Sequence, residues 1–182
     1  IKMSFIVTIF KNIKETQAPF HRDVQIVLSR IKNGSSKDLV KKIRSERNKT
    51  DRNELKKNLP AVCFSGTFTK RTDKSISDHS GLICLDFDGY ASKKELLQDK
   101  ENFTKDKFVY SAFVSPSGNG LKVLVKIPAD PENHVNFFNS LAKHFDSDYF
   151  DKMCKNVSRV CYESYDPLLY LNENSAIWDK IE

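Results

Sequence analysis

The sequence predicts an α+β domain whose sheet is largely antiparallel and is covered by helices on one face. Helical spacing of apolar residues dominates the first 58 residues, whereas short strand-like runs dominate from residue 59 onward, with two helices inserted among them. Two of these runs flank a Gly-rich turn, which is typical of neighbouring antiparallel strands. The Gly-x-Gly-x-x-Gly and Walker A sequences of parallel nucleotide-binding sheets are both absent.

We expect a single domain over residues 1–182, beginning with a helical αβ part at residues 1–58. Residues 4–10 (SFIVTIF) are β-branched and aromatic, which predicts a strand. Residues 21–32 carry apolar side chains at helical spacing, and Gly34 follows as a stop signal. These apolar side chains are Val24, Val27, Leu28 and Ile31.

A second helix is predicted from a cap at Ser35 or Ser36 to about Arg47, with a further helical turn over residues 53–58. Residues 37–57 hold nine lysines and arginines against four acids. Such a run can follow a phosphate backbone by releasing counterions, although a solvated helical face explains it equally well. The candidate nucleic-acid-binding residues are Lys41, Lys42, Arg44 and Arg47.

The second part of the chain, residues 59–182, is expected to be rich in strands. Residues 65–67 are predicted to form a turn, and residues 116–120 (PSGNG) are a strong hairpin signal. The predicted strands are residues 61–64, 81–88, 108–115, 121–127 and 159–165, and the predicted helices are residues 93–98 and 133–145. The second helix is amphipathic, with an apolar face formed by Val135, Phe138, Leu141, Ala142 and Phe145.

Composition narrows the class of protein. The chain is 39% hydrophobic and 30% charged, with a net charge of +6, which is ordinary for a soluble globular domain. It has no apolar run of about 18 residues and no signal-peptide pattern, so we expect a cytoplasmic protein without a membrane-spanning helix. Trp178 and the end at Glu182 suggest a domain excised from a longer protein. Cys-x-x-Cys spacing is absent, which favours free thiols over a zinc site at Cys63, Cys84, Cys154 and Cys161.

Two carboxylates end the most strand-like segment, residues 81–88 (GLICLDFD). Side chains alternate between the faces of a strand, so Asp86 and Asp88 are predicted to point to the same side, about 7 Å apart. Carboxylates at this spacing repel each other unless a cation lies between them, and Mg²⁺ or Mn²⁺ prefers such oxygen ligands. The alternative is that Asp88-Gly89 only opens a turn, with Asp86 exposed to solvent.

A Gly-rich turn precedes a candidate cation. In residues 115–120 (SPSGNG), Gly118 and Gly120 allow the backbone to approach a ligand closely, and successive amides in such a turn can form an anion-binding nest. Lys122 follows directly, where it can neutralise a bound phosphate. An ordinary hairpin with solvated lysines is the alternative.

Further acids follow the helix predicted at residues 133–145. They are Asp146, Asp148 and Asp151, and Arg159 lies on the next predicted strand. A third carboxylate would complete a site for one or two metal ions, and Arg159 would stabilise charge on phosphates. The pattern alone does not rank the three aspartates, which also suit a solvated loop.

Four blocks in this order resemble the archaeo-eukaryotic primase superfamily. They are specifically similar to its branch of virulence-associated protein E-like N-terminal domains, which includes primase-polymerases of mobile elements and CRISPR-associated primase-polymerases. The matching blocks are LPAVCFSGTF at residues 59–68, HSGLICLDFDG at 79–89, SPSGNGLKV at 115–123 and DKMCKNVSRVCYESYDPLLYLN at 151–172.

The resemblance implies roles for individual residues. The acidic pair of the superfamily falls on Asp86 and Asp88, and its later aspartate falls on Asp151, eight residues before Arg159. These three aspartates are therefore the expected catalytic and metal-binding residues. The second motif commonly ends in a histidine, whose place is taken here by Lys122, which keeps the positive charge. The implied nucleotide-binding residues are Ser115, Ser117, Gly118, Gly120, Lys122 and Arg159.

The fold and function implied by the resemblance are an RRM-like catalytic sheet, joined to an N-terminal αβ unit, that acts as a template-dependent DNA primase or polymerase. Its cofactor would be Mg²⁺ or Mn²⁺. Its partners would be nucleoside triphosphates, a single-stranded or primed DNA template, and a helicase or CRISPR adaptation proteins. Two alternatives are a catalytically inactive, RRM-like module that binds single strands and a metal-dependent nuclease. We expect Asp86→Ala with Asp88→Ala to abolish primer synthesis and leave the fold intact.

Overall fold

The computed structural model describes residues 4–181, and within them the chain forms five α-helices and ten strands. The N-terminal elements are β1 (Ile6–Phe10), β2 (Phe20–Asp23), α1 (Val24–Asn33), α2 (Lys37–Ser45) and α3 (Lys49–Lys56). They are followed by β3 (Ala61–Cys63), β4 (Gly66–Phe68), β5 (Ile76–His79), β6 (Leu82–Phe87), α4 (Lys93–Phe103), β7 (Val109–Val114), β8 (Leu121–Lys126), α5 (His134–Phe145), β9 (Cys161–Tyr162) and β10 (Tyr170–Leu171).

The strands form two four-stranded sheets and one two-stranded sheet. The first has the order β2-β1-β3-β9, the second has the order β10-β7-β8-β6, and β4 pairs with β5. The pairs of these strands are antiparallel, which confirms the predicted α+β class with an antiparallel sheet. Because β1 pairs with β3, and β3 with β9, the parts expected at residues 1–58 and 59–182 share one sheet.

The β10-β7-β8-β6 sheet, called the central sheet below, is covered on both faces. One face packs against α4 and α5 around the side chains of Ile83, Leu85, Phe87, Leu96, Phe103, Phe138 and Leu141. The opposite face, which carries Leu82 and Leu124, packs against α1 and the first sheet. The predicted helical layer therefore lies on one face, while the other face is buried by a second sheet. Since side chains alternate, Asp86 and Lys122 belong to this second face.

The central sheet follows the strand-helix-strand-strand-helix order β6-α4-β7-β8-α5. The next segment returns to β6, where Phe150 forms an isolated antiparallel bridge with Phe87. This gives the β-α-β-β-α-β order of ferredoxin-like folds, with the last strand reduced to a bridge.

Element boundaries differ from the prediction at several helices. Helix α4 continues to Phe103 rather than ending at residue 98, and the turn predicted at residues 53–58 is the helix α3. The helix predicted at residues 21–32 begins only at Val24, because residues 20–23 pair with β1 as a strand. The Asp23 carboxylate accepts a hydrogen bond from the Gln25 amide, which caps the helix. Gly34 ends it in the left-handed conformation, with φ of 91°.

Three other predictions need correction. The strand predicted at residues 159–165 shrinks to the two residues of β9. Gly66 belongs to strand β4, which pairs with β5, rather than to a turn at residues 65–67. Glycine is needed there because a Cβ would lie 2.2 Å from the Asp78 carbonyl oxygen of β5. On α5 the buried face includes Phe137, whereas Val135 is exposed.

Helices α2 and α3 are anchored beside the central sheet by a small apolar cluster. Val40, Ile43 and Leu59 are fully buried there, with Tyr162 and Tyr165 packed against them. This contact brings α3 next to β9. Nowhere in residues 4–181 is there a helix long and apolar enough to cross a membrane.

Candidate active site

Strand β6 carries Asp86 to the end of the central sheet, opposite Lys122 of β8. The Lys122 Nζ atom lies 2.8 Å from Asp86 Oδ1, and the two side chains are only 14% and 13% exposed. Burial alone would lower the pKa of Lys122, but the Asp86 carboxylate outweighs it and raises that pKa above its ordinary value. Lys122 is therefore positively charged and paired.

Asp151 is brought to Asp86 by the backbone. The Asp151 amide donates to the Asp86 carbonyl at 2.9 Å, and the Asp88 amide donates to the Tyr149 carbonyl at 2.8 Å. Between these bonds, Phe150 is buried, with its ring centroid 5.3 Å from that of Phe87. This pairing places Asp151 beside Asp86. Asp146 and Asp148 are exposed, and Asp146 ends α5 in a left-handed conformation.

A cysteine thiol lies between the two carboxylates. Cys154 Sγ is 3.2 Å from Asp86 Oδ2 and 3.1 Å from Asp151 Oδ2. Atoms of these three side chains all lie within 4.8 Å of one another, so they form a possible metal-binding group. Burial and the two negative charges raise the pKa of Cys154, which keeps the thiol protonated. It is a weak hydrogen-bond donor in a place where a cation would interact far more strongly.

The pKa of Asp151 is lowered, in contrast to that of Cys154. Partial burial raises it, but the Met153 amide and the Cys154 thiol donate hydrogen bonds to the carboxylate, and Arg159 and Lys122 attract its charge. The net effect is a pKa below the ordinary value, so Asp151 is ionised at neutral pH.

Asp88 lies just beyond β6 and is more exposed than Asp86. Partial desolvation raises its pKa, and the negative charges of Asp86 and Asp151 raise it further, while Lys122 opposes them. A Cβ on Gly120 would lie 2.2 Å from Asp88 Oδ1, so the glycine makes room for this carboxylate. The structure groups Asp86 with Asp151 and Cys154; the resemblance implied Asp151 as a partner of Asp86, whereas Cys154 was not predicted as a site residue.

The Gly-rich turn is held together by its own hydrogen bonds. The Gly118 amide donates to the Ser115 carbonyl at 3.0 Å, and the Gly120 amide donates to Ser115 Oγ at 3.1 Å. These two amides are therefore not free to form the anion-binding nest expected from the sequence. Gly118 adopts a φ of 81°, which a side chain rarely permits. Ser117 Oγ lies 3.2 Å from Ser115 Oγ.

A cleft of about 190 Å³ lies beside this group, between the central sheet and β9. Six of the predicted nucleotide-binding and catalytic residues and one unpredicted lysine line it. Among its lining residues are Asp86, Asp88, Ser115, Ser117, Lys122, Arg159 and Lys56. Among these residues, Lys122 is the group already paired with Asp86.

Lys56 of α3 was not predicted as a site residue. It is half-buried, and burial lowers its pKa, as do the positive charges of Arg52 and Lys122. The available signal was its place in the basic run, four residues after Arg52 and hence on the same side of a helix. The contact of α3 with β9, which aims Lys56 into the cleft, is not visible in the sequence.

The four predicted nucleic-acid-binding residues do not share one surface. Lys41, Lys42 and Arg47 are exposed, whereas Arg44 points inward. Its Nη2 atom donates to the carbonyls of Ser115 and Tyr165, at 3.0 and 2.9 Å, and burial lowers its pKa. The prediction for Arg44 therefore needs correction, because its guanidinium fixes the Gly-rich turn against α2.

The acidic group suits a hard divalent cation. Asp86 Oδ1 is engaged by Lys122, but Asp86 Oδ2 and Asp151 Oδ2 both face the Cys154 thiol rather than a positive charge. Carboxylate oxygens are the ligands that Mg²⁺ and Mn²⁺ prefer. The two carboxylates therefore fit such an ion, whereas the protonated Cys154 thiol beside them is not a ligand that it prefers.

Comparison with known protein families gives one match. A family model described as BT4734-like, N-terminal domain, matches residues 54–171. That span includes the acidic group, the Gly-rich turn, Lys56 and Arg159. Neither the curated proteins nor the solved structures yield a significant match to the sequence.

Proposed function

We propose that this site, in a chain that belongs to the BT4734-like N-terminal domain family and is matched across the whole of the site, is a nucleotidyltransferase centre of the primase-polymerase kind. It would extend or synthesise primers from nucleoside triphosphates on a DNA template. The observation that carries this proposal is a pair of adjacent carboxylates, Asp86 and Asp151, at the edge of a cleft lined by lysine, arginine and serine.

In this proposal Asp86 and Asp151, with Asp88 nearby, hold Mg²⁺ or Mn²⁺. Such an ion, when bound, neutralises developing charge on the reacting phosphate and activates the attacking hydroxyl. Residues of the chain perform the other tasks. Lys56, Lys122 and Arg159 present positive charge to a triphosphate in the cleft, and the Ser117 hydroxyl supplies a further donor.

The reaction joins the 3′-hydroxyl oxygen of a strand to the α-phosphorus, the hydroxyl proton passes to water, and pyrophosphate leaves with the electrons of the broken bond. The exposed Lys41 and Lys42 on α2, and Arg47 just after it, are suited to attract the template strand, with an affinity that falls as salt rises. A cytoplasmic setting, expected from the lack of a signal-peptide pattern, belongs to the same proposal. A helicase or CRISPR adaptation proteins are proposed as partners because the resemblance implies them.

The decisive experiment supplies template, labelled nucleotides and either Mg²⁺ or Mn²⁺, with and without a primer. The proposal expects the label to appear in lengthened strands, and Asp151→Asn to remove this activity. Asp148→Asn is the matched control, because this exposed aspartate lies outside the acidic group. Shortening of a labelled strand would instead identify a nuclease. Binding of single strands without incorporation would identify an inactive binding module.

A further inference from the structure

The cleft beside the acidic group is too small for a whole nucleotide. Its volume is about 190 Å³, whereas sites for small organic ligands commonly measure about 300–1,000 Å³. Its lining of lysine, arginine, serine and aspartate suits phosphates. If a nucleoside triphosphate binds there, the sugar and base must occupy a neighbouring space.

Two larger cavities adjoin the cleft through shared residues. One, of about 410 Å³, shares Arg159, Val160 and Tyr162 with it and is also lined by Arg71, Asn156 and Ser158. The charge and polarity of that cavity suit the phosphodiester backbone of a strand. The other, of about 570 Å³, shares Ser117 with the cleft.

The 570 Å³ cavity, called the α4 cavity below, has a different chemistry. It lies between the start of α4, the Gly-rich turn and residues 165–168. Leu97 and Leu168 line it, although they are 45% and 78% exposed. Tyr90 also lines it, with its ring stacked on that of Tyr149 at a centroid distance of 4.0 Å. Exposed aliphatic groups beside an aromatic ring form a surface on which a flat apolar ligand can pack.

The floor of the α4 cavity is already formed. The Lys100 ammonium lies 2.8 Å from Asp166 Oδ2 and also donates to the Leu168 carbonyl. Asp166 in turn accepts a hydrogen bond from the Val114 amide. Because these buried polar groups satisfy one another, the cavity does not need a ligand to neutralise them. The exposed side chains of Leu97 and Leu168 are therefore the part of this cavity that a ligand can cover.

We infer that the α4 cavity is the nucleoside subsite, which takes the base and sugar of the nucleotide whose phosphates lie in the cleft. This inference rests on the proposed function. Ser117, on the Gly-rich turn, lines both spaces, so a nucleotide that occupies both would extend past this side chain. Leu97 and Leu168 pack against the base, and Lys93, at the start of α4, also lines this space.

The test compares two ligands that differ only in the nucleoside. Binding of a nucleoside triphosphate and of inorganic tripolyphosphate, each with Mn²⁺, is measured by calorimetry. For Leu97→Gln with Leu168→Gln, we expect the affinity for the nucleoside triphosphate to fall about tenfold, while that for tripolyphosphate stays unchanged. Leu168→Gln alone, at the more exposed position, is expected to show a smaller loss of the same kind. Ile26→Gln, an exposed aliphatic residue on α1, is the control.

Equal loss of both ligands, or undiminished binding of the nucleoside triphosphate, would overturn the subsite and leave the proposed function standing. Failure of the unaltered protein to bind either ligand, together with absence of incorporation, would overturn the proposed function and the subsite with it.

Discussion

The two carboxylate oxygens of Asp86 have different contacts and different roles. Its Oδ1 atom neutralises Lys122, which is almost buried, and its Oδ2 atom faces the Cys154 thiol, which also contacts Asp151. The sequence alone suggested that an alanine at this position would leave the fold intact. The ion pair with Lys122 indicates instead that the alanine would weaken the fold, because a charge left unpaired in the interior destabilises the folded state strongly.

Asp86→Ala is therefore expected to lower the free energy of unfolding by about 3 kcal/mol, since Lys122 loses its partner. Asp86→Asn should cost less, because the amide oxygen still accepts a hydrogen bond from Lys122, and yet should remove nucleotide incorporation. Urea denaturation and the incorporation assay measure the two effects. Equal stabilities for the alanine and asparagine variants would contradict this account.

Gly120 is constrained by the carboxylate beside it. A Cβ there would lie 2.2 Å from Asp88 Oδ1 and 2.7 Å from the Phe87 carbonyl oxygen. Gly120→Ala is expected to displace Asp88, to cost about 1–3 kcal/mol of stability and to reduce incorporation. Thermal unfolding and steady-state kinetics measure the two effects.

Gly89→Ala is the matched control for that variant. Gly89 has a φ of 85° but nothing within 4 Å of the added carbon, so its substitution strains the backbone without touching a carboxylate. We expect Gly89→Ala to lose about 1 kcal/mol of stability and to keep its activity. A comparable loss of activity in both variants would show that backbone strain, rather than the contact with Asp88, is responsible.

At the scale of elements, α3 contributes to the site through a single side chain. Lys56 lines the cleft and is half-buried near Arg52 and Lys122, whose positive charges lower its pKa. Its neighbour Lys57 forms an ion pair with Glu54 on the surface of α3, at 2.5 Å. The two lysines therefore differ in environment but not in chemistry.

Lys56→Gln is expected to raise the KM for nucleoside triphosphates about tenfold, because a charge-assisted contact to phosphate is lost. It should not destabilise the fold, since a repelled cation is removed. Lys57→Gln should leave KM unchanged, as exposed ion pairs contribute little. Steady-state kinetics on both variants, with melting temperatures as the control for folding, decide the matter. The idea fails if the two variants behave alike.

Local patterns predicted most of the elements that form the site. The alternation in residues 81–88 and the Gly-rich turn were sufficient to predict β6 and the β7–β8 hairpin, and with them the strand positions of Asp86 and Lys122. Strand β2 was missed, because its residues FHRD are mostly exposed and show no alternation. The approach of Asp151 to Asp86 depends on pairing between distant segments, and the spacing of residues alone left three aspartates equal.

Contacts between elements explain the remaining differences. Arg44 points inward because of the position in which α2 packs against the rest of the chain. The sequence of a basic helix does not indicate which of its cations will be buried. The glycine amides are used inside the turn because Ser115 folds back on them. Neither outcome follows from the amino acids within the element concerned.

At the scale of the whole molecule, a histidine pair joins the β4–β5 hairpin to α5. His79 Nε2 and His134 Nδ1 lie 3.0 Å apart, and the Gly81 amide donates to His79 Nδ1. Burial lowers the pKa of His79 to about 4, against the nearby Asp130 charge. Burial and His79 lower that of His134 to about 3, against Asp73. Both rings are therefore neutral in the folded protein at neutral pH.

Because the unfolded chain binds protons at these histidines near pH 6.5 and the folded chain does not, stability should fall as pH drops below about 6.5. Each histidine contributes at most about 1.4 kcal/mol per pH unit. Urea denaturation at pH 7.5 and 5.5 measures the slope. His79→Gln with His134→Gln should flatten it, and His21→Gln, in contact with Thr8 on β1, should not. A double variant with the slope of the unaltered protein would contradict this assignment.

Two backbone hydrogen bonds flank Phe150, one from the Asp151 amide to the Asp86 carbonyl and one from the Asp88 amide to the Tyr149 carbonyl. They have a consequence for related chains. In antiparallel pairing, a slip of one residue exchanges the two faces, so a shifted strand would offer Phe150 or Lys152 where Asp151 now stands. The separation of the two acids is thus fixed by peptide geometry, and the connection that follows α5 is free to lengthen or shorten. Natural variants should tolerate insertions before Ser147 and none within residues 149–151.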